Sequence, residues 1–417
     1  MSEMLDDWPV LPVVISLTTY SSLKSYIDLC CGNVADALES EHHYRICELK
    51  LSGIPTSYLE RFAGAMRKPF QELTFLRFWV KENTVTSLPD SFLGGSAPLL
   101  RQLVLGNCSF PGLPKLLLSA NHLHRLSLHR IPDSGYVSPQ DLATALSVMS
   151  RLESFLLGFR SPRSRPDPAS RPPPPLTRSV LPALTRLVFR GVHEYLEDLL
   201  AQIEAPLLNK LDVFFFMDVD FVVPQLHQLI THTESFKTCD RAFVCTSYYH
   251  AIQFGIFRET NDSPEFSLEI KCRKLDRQLS SLAQVCSPSL LLLSTLVRLD
   301  IEDPFIPNPR SYWKDDLETT RWLELMGPFT AVKDLCLSSQ VAQYVCQALE
   351  ELAEERVTEV LPELQNIVLS GFRPLESIPK YIQGFVAARQ LSGHPVAVRW
   401  RNYSSIRPRS LGAFPSD

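Results

Sequence analysis

The sequence predicts an α/β solenoid built from short repeats, and three observations carry that prediction. A strand-like motif, L-x-x-L-x-L, recurs ten times in order along the 417 residues. Helix-like segments with one apolar face lie between most of the recurrences. Apart from one wide gap, successive motifs start 23 to 36 residues apart, which suits one strand and one helix per repeat. A doubly wound parallel sheet is the competing architecture. It needs longer buried strands and keeps a less regular spacing.

The clearest motif is "LLRQLVLGNC", in which Leu100, Leu103, Leu105 and Cys108 stand as L-x-x-L-x-L-x-x-C, the strand signature of a leucine-rich repeat. Before it come "ICELKLSGI" from Ile46 and "LTFLRF" from Leu73. After it come "LHRLSLHRI" from Leu123, "LESFLLGF" from Leu152, "LTRLVFRGV" from Leu184 and "LNKLDV" from Leu208. The series closes with "LVRLDI" from Leu296, "VKDLCL" from Val332 and "LQNIVLSGF" from Leu364. A strand presents alternate side chains to one side, so the motif leucines fill a narrow interior. Each repeat must stack on its neighbour, because none buries its apolar face alone. The expected fold is therefore α/β, a leucine-rich-repeat solenoid: a curved horseshoe with parallel strands on the concave face and helices on the convex face.

Taken in order, residues 1–45 read as an N-terminal capping segment whose "WPVLPVVISL" opens the sheet, and residues 46–400 read as the repeat domain. The segment "SPQDLATALSVMS" predicts a helix with Ser138 as its cap, Pro139 in the first position and Asp141 in the first turn. "HEYLEDLLAQI", "LDRQLSSLAQV", "DDLETTRWLELM" and "VAQYVCQALEELAEERV" read similarly. The wide gap from 208 to 296 holds two degenerate strands, "RAFVC" and "FSLEIKC", which brings the expected total to about twelve repeats. "RSRPDPASRPPPPLTRS" cannot be a core strand or a helix interior. The motif resumes directly after it, so 160–180 is expected to be a loop thrown out of one continuous solenoid, and as a polyproline ligand it is imperfect. Residues 401–417 read as a disordered tail.

Composition narrows the function. A net charge of −5 gives no reason to expect nucleic-acid or membrane-surface binding. The acidic start does not resemble a signal peptide, and no apolar run is long enough to span a bilayer. Ten scattered cysteines without a C-x-x-C pair read as free thiols in a reducing compartment, cytoplasmic or nuclear. No G-x-S-x-G, Walker A or G-x-G-x-x-G motif occurs. "HEYLE" from His193 lacks the second histidine of a zinc-protease motif and reads as an exposed helix start. His122, His124 and His129 lie close in sequence but do not converge in the repeat register. The expectation is a monomer with no catalytic residue, no metal and no cofactor.

Binding is then assigned to the residues that alternate with the motif leucines. Glu48, Lys50, Phe75, Arg77 and Trp79 are offered by the early repeats, with Phe75 and Trp79 as an exposed aromatic corner. Gln102, Arg125, His129, Arg186, Arg190 and Lys210, with Phe214, make a basic centre. Arg298, Asp300, Glu302, Asp334 and Asn366 make an acidic end. The partner-binding set expected from this register is Phe75, Arg77, Trp79, Arg125, His129, Arg186, Arg190, Lys210 and Phe214.

Longer stretches carry a resemblance. "LPDSFLGGSAPLLRQLVL", "FRSPRSRPDPASRPPPPLTRSVLPALTRL", "GVHEYLEDLLAQIEAPLLNKL", "TRWLELMGPFTAVKDLCLS" and "FVAARQLSGHPVAV" resemble F-box-like proteins with C-terminal leucine-rich repeats from mushroom-forming fungi, over roughly residues 85–400. That resemblance implies the target-recognition part of a cullin–RING ubiquitin ligase receptor. Residues 1–45 carry no "LP-x-E-[IL]-[LI]" start, so contact with the ligase adaptor is expected only if an F-box is encoded upstream. The alternative is a free-standing scaffold or sequestering protein with no ligase link. In either case the expected partner is a protein target.

Overall fold

The computed structural model describes residues 11–19, 24–81, 86–162, 177–217, 223–247, 251–261, 263–272, 275–286, 291–302, 319–352, 356–370 and 380–401. The fold is a leucine-rich-repeat α/β solenoid, and the chain divides into two compact units, Met1–Leu208 and Asn209–Asp417.

The first unit carries β1 (Val13–Thr18), β2 (Ile46–Ile54), β3 (Phe75–Val80), β4 (Gln102–Gly106), β5 (Arg125–Ile131), β6 (Ser154–Phe159) and β7 (Arg186–Gly191), paired side by side in chain order and all parallel. Register explains why the motif folds this way. Ile15, Leu49, Leu76, Leu103, Leu126, Phe155 and Leu187 align across the strands as one inward row. Leu17, Leu51, Phe78, Leu105, Leu128, Leu157 and Phe189 align as a second. Every member of both rows is buried. The first leucine of each motif (Leu73, Leu100, Leu123, Leu152 and Leu184) is fully buried where the chain turns into its strand. There the ladder is extended by a repeated backbone bond, His124 N–H to Arg101 O and Glu153 N–H to His124 O, each 2.8 Å.

Between strands the chain crosses on the inward side as α1 (Lys24–Glu39), α2 (Thr56–Ala65), α3 (Leu113–Ser119), α4 (Pro139–Leu146) and α5 (His193–Leu200). Ser138 caps α4 as its sequence predicts, its hydroxyl oxygen accepting from the Asp141 N–H at 3.0 Å. Tyr195 of α5 is fully buried, its ring edge-on to Phe159 at 4.7 Å, and its hydroxyl donates to Val137 O. β6 and β7 pair directly, Ser154 with Arg186 through Gly158 with Arg190. The repeat array therefore runs straight across the proline-rich stretch. Most of that stretch, residues 163–176, lies outside the described residues, as does 402–417.

The second unit carries β8 (Lys210–Phe215), β9 (Arg241–Ser247), β10 (Ala251–Phe257), β11 (Phe266–Lys271), β12 (Arg298–Glu302), β13 (Asp334–Ser338), β14 (Asn366–Ser370) and β15 (Ala397–Arg401). Here the spatial order departs from chain order: β8, β11, β10, β9, β12, β13, β14, β15. The sequence reading expected "RAFVC" and "FSLEIKC" as consecutive repeat strands. Both are strands, but β10 lies between them and runs antiparallel to each. The cause is connection length. Three residues join β9 to β10 and eight join β10 to β11. A parallel crossover needs about a dozen or more, so the chain can only fold back as hairpins. β9 then pairs parallel with β12, and the regular array resumes.

The helices of this unit are α6 (Pro224–His232), α7 (Leu275–Val285), α8 (Thr319–Met326), α9 (Ser339–Glu350) and α10 (Lys380–Leu391). In α10 the fully buried Arg389 directs its guanidinium at the carbonyls of Leu364 (3.0 Å) and Pro362 (3.1 Å). It thereby satisfies backbone acceptors of the turn that leads into β14.

Candidate functional site

Alternation that sends the leucines inward sends their neighbours to the other side of the sheet. Helices cover the inward side, so the outward side of β1–β7 is the open face of the first unit. Its residues form three rows. Val14, Glu48, Phe75, Gln102, Arg125, Ser154 and Arg186 align in one. Ser16, Lys50, Arg77, Val104, Ser127, Leu156 and Val188 align in the middle one. Thr18, Ser52, Trp79, Gly106 and His129 align in the third, where Gly158 and Arg190 also pair.

Arg77, Arg125 and Arg186 are exposed on this face, while Lys50 and Arg190 are half-buried. The one carboxylate on these rows, Glu48, is taken up by Lys50 at 2.7 Å, and the exposed Arg77 and Arg125 add positive charge beside that pair. The aromatic corner differs from the exposed one the sequence suggests. Phe75 and Trp79 are both half-buried, each under a cation: Lys50 Nζ lies 4.9 Å from the Phe75 ring and the Arg77 guanidinium 5.7 Å from the Trp79 ring. The indole of Trp79 lies across Gly106, where a Cβ would sit 2.5 Å from it, and reaches His129 at 4.9 Å between ring centroids. The absent side chain at 106 is what lets three residues of two strands, β3 and β5, form one packed cluster across β4, Arg77–Trp79–His129.

Lys210 and Phe214 belong to the second unit, on β8. Both are half-buried, and Phe214 stands edge-on to Phe216 at 5.7 Å. Of the acidic end expected on this unit, Asp300 is built into the structure instead. Asp300 is 3% exposed and held by Arg298 at 2.8 Å and Arg241 at 3.0 Å. Burial alone would raise its carboxyl, but the two guanidiniums outweigh burial and hold it below the usual carboxylate range. Asp334 accepts from the Asn366 amide at 2.7 Å. The sequence could not show Arg241 as a partner of Asp300, because the pairing depends on the inverted strand order that places β9 beside β12.

The remaining motifs resolve into packing. Cys108 is buried and its thiol pushed up to about 12 by burial, which leaves it unreactive at neutral pH. His193, read as an exposed helix start, is in fact buried, at 5% exposure, with Glu194 at 3.4 Å. His124 pairs with Glu153 at 3.2 Å while His129 packs on Trp79, so the local histidines point to different tasks. Among the described residues, no three His, Cys, Asp or Glu side chains come together as a metal site, and no helix is long and apolar enough to cross a membrane. What sequence reading missed on the open face is a bulge. His129 and Arg130 together oppose the single residue Gly158, and Arg130 adopts φ +50°.

No family model matches the chain, and no curated protein matches it. Among solved structures the chain is similar to the leucine-rich repeat-containing protein LegL7 from Legionella pneumophila. The identity is 14%, over 92% of this chain and 98% of that one, with a TM-score of 0.28.

Proposed function

We propose that this chain is a non-catalytic protein-recognition module whose open face in the first unit binds an acidic segment of a protein target. The observation that carries this reading is the placement of charge on that face: Arg77 and Arg125 stand exposed on its rows, while Glu48 is paired with Lys50 at 2.7 Å. Rigid parallel strands hold these side chains at a fixed spacing, which favours recognition of a matching row of acids. The packed Arg77–Trp79–His129 cluster supplies the aromatic and arginine composition of an interface anchor.

The finer reading rests on the resemblance to F-box-like leucine-rich-repeat proteins. It makes the chain the target-holding part of a ubiquitin ligase receptor of the cytoplasm or nucleus, working as a monomer, if an adaptor-binding F-box is encoded upstream of Met1.

Two exposed arginines provide the test. Arg77→Glu combined with Arg125→Glu reverses two charges without touching the core. Proteins that co-purify with the wild-type chain should be lost from the double variant, and their capture should weaken as salt rises. Undiminished recovery by a folded double variant overturns the surface assignment. For the ligase reading, the native transcript is extended to its 5′ end and its product isolated from the source cells. Co-purification of a cullin and its adaptor supports that reading, and a product that starts at Met1 and lacks both leaves a free-standing scaffold.

A further inference from the structure

Arg77 of β3 and Arg125 of β5 stand diagonally across β4. Arg77 pairs with Val104 on β4, and Val104 pairs with Ser127 on β5. Arg125 lies beside Gln102, two residues before Ser127. At ordinary sheet spacings the two arginine Cα atoms are then about 12 Å apart. Both side chains are exposed. Among the described residues neither has an ionic partner. Arg77 rests over the Trp79 ring, and the carboxylate on these rows, Glu48, is taken up by Lys50 at 2.7 Å.

Between the two arginines the surface is short and uncharged. Val104 is half-buried and Ser127 is 8% exposed. Two residues beyond Val104, the Trp79 indole lies across Gly106 and ends the strip on that side. What is left between two free guanidiniums is therefore a strip about one apolar side chain wide, centred on Val104. A partner that fits it must bring two negative charges about 12 Å apart and something uncharged between them.

We propose that this strip reads an extended segment of the protein target in which two acidic residues stand four apart with an apolar residue midway, acid-x-apolar-x-acid. The spacing refines the acidic recognition proposed above and rests on it. An extended chain sends alternate side chains to one face, so residues i and i+4 share a face at about 13 Å, close to the separation of the arginines. Each acid then meets one guanidinium in a charge-assisted pair. Residue i+2 falls over Val104, where an apolar side chain removes apolar surface of both partners from water. Water excluded from the strip also strengthens the charge pairs at its ends. An acid at i+2 would lose its hydration over Val104 without a guanidinium of its own, so the middle position discriminates. A helix reaches about 12 Å only at i and i+8, with two turns of side chains between, more than a strip of this width takes.

The test pans a phage-displayed library of random twelve-residue peptides on the full chain, with the folded Arg77→Glu, Arg125→Glu double variant as the reference. Peptides enriched on the wild type should share two acidic residues four apart with an apolar residue midway. A synthetic peptide of that consensus, titrated by fluorescence anisotropy, gives the fold-changes. Replacing its apolar residue by serine should weaken binding about fivefold or more, and Val104→Ser in the chain should weaken the parent peptide similarly. The two changes together should cost no more than either alone, because each removes the same contact. The substitution in the peptide needs no variant of the chain, so the test holds even if Val104→Ser fails to fold. Acidic peptides without a fixed spacing, acids at the helical spacings i+7 or i+8, or unaltered binding after the apolar-to-serine change overturn the strip and leave acidic recognition standing. Enriched peptides without acidic residues, or no enrichment over the double variant, overturn acidic recognition and the strip with it.

Discussion

At the scale of single residues, the open face of the first unit depends on an absence. Gly106 carries no side chain, and only for that reason can the Trp79 indole lie flat across its strand and meet His129. A methyl group there would sit 2.5 Å from the ring and must push it away. Gly106→Ala is therefore expected to destabilise the first unit by about 1–3 kcal/mol, in the range of an overpacked site. Trp79→Ala should remove most of that penalty, so urea unfolding of the two single variants and the double variant should be strongly non-additive. The sequence named Trp79 but could not show this, because the contact is between strands and the deciding residue is the one with nothing to read. A second residue-scale effect concerns pH. His227 is 5% exposed and its Nε2 lies 2.7 Å from Val285 O. Burial lowers its pKa in the fold, against the smaller opposing pull of the Val285 carbonyl. The unfolded chain then takes up the proton first as pH falls. This contribution is complete above the unfolded value of about 6.5 and is lost progressively as pH drops from there through the lower folded value. Melting temperatures between pH 7.5 and 5.5 should fall for the wild type and fall less for His227→Gln. Asp300, held below the usual carboxylate range, acts in a different window: its contribution is complete above about pH 4 and is lost below, as pH falls through its folded value.

At the scale of elements, legibility followed from how local the cause is. The cap of α4 is written in four consecutive residues, Ser138 to Asp141, and the structure has that hydrogen bond at 3.0 Å. Ser138→Ala leaves the Asp141 N–H without its acceptor at the helix start and should cost about 1 kcal/mol, read as a shift of the denaturation midpoint with an unchanged slope. The strands of the ten motifs were legible for a related reason. Each motif is a local pattern, and its two inward leucines form rows with those of the next repeat only because the pattern recurs in phase. β10 was not legible. Its residues, Ala251 to Phe257, are buried on nearly every position and show no clean alternation. Its direction is set by the shortness of the links on either side, a property of the chain path rather than of its own sequence. Asp300 was misread for the same reason, since it meets Arg241 only through that inverted order.

At the scale of the whole molecule, the proline-rich stretch is the sharpest test of what a repeat protein is. In such an array each repeat is held by its immediate neighbours, so stability resides in strand pairing and in the stacked inward rows. β6 and β7 make both kinds of contact across the stretch, in register from Ser154–Arg186 to Gly158–Arg190, with Phe155 against Leu187 and Leu157 against Phe189. None of these contacts involves residues 163–176. Replacing those residues by a Gly-Ser linker of equal length preserves the reach of the connection and every one of these pairings, and is expected to change stability by no more than about 0.5 kcal/mol. Leu126→Ala, in the middle of the first inward row, should by contrast cost about 2–5 kcal/mol. The same linker variant also locates recognition. If it retains the wild-type partners while Arg77→Glu with Arg125→Glu loses them, the target is read by the open face, where rigid strands fix the spacing of the arginines. If the linker variant folds as well as wild type but loses its partners, recognition belongs to the proline-rich segment, and the solenoid serves to hold that segment out from a stable frame.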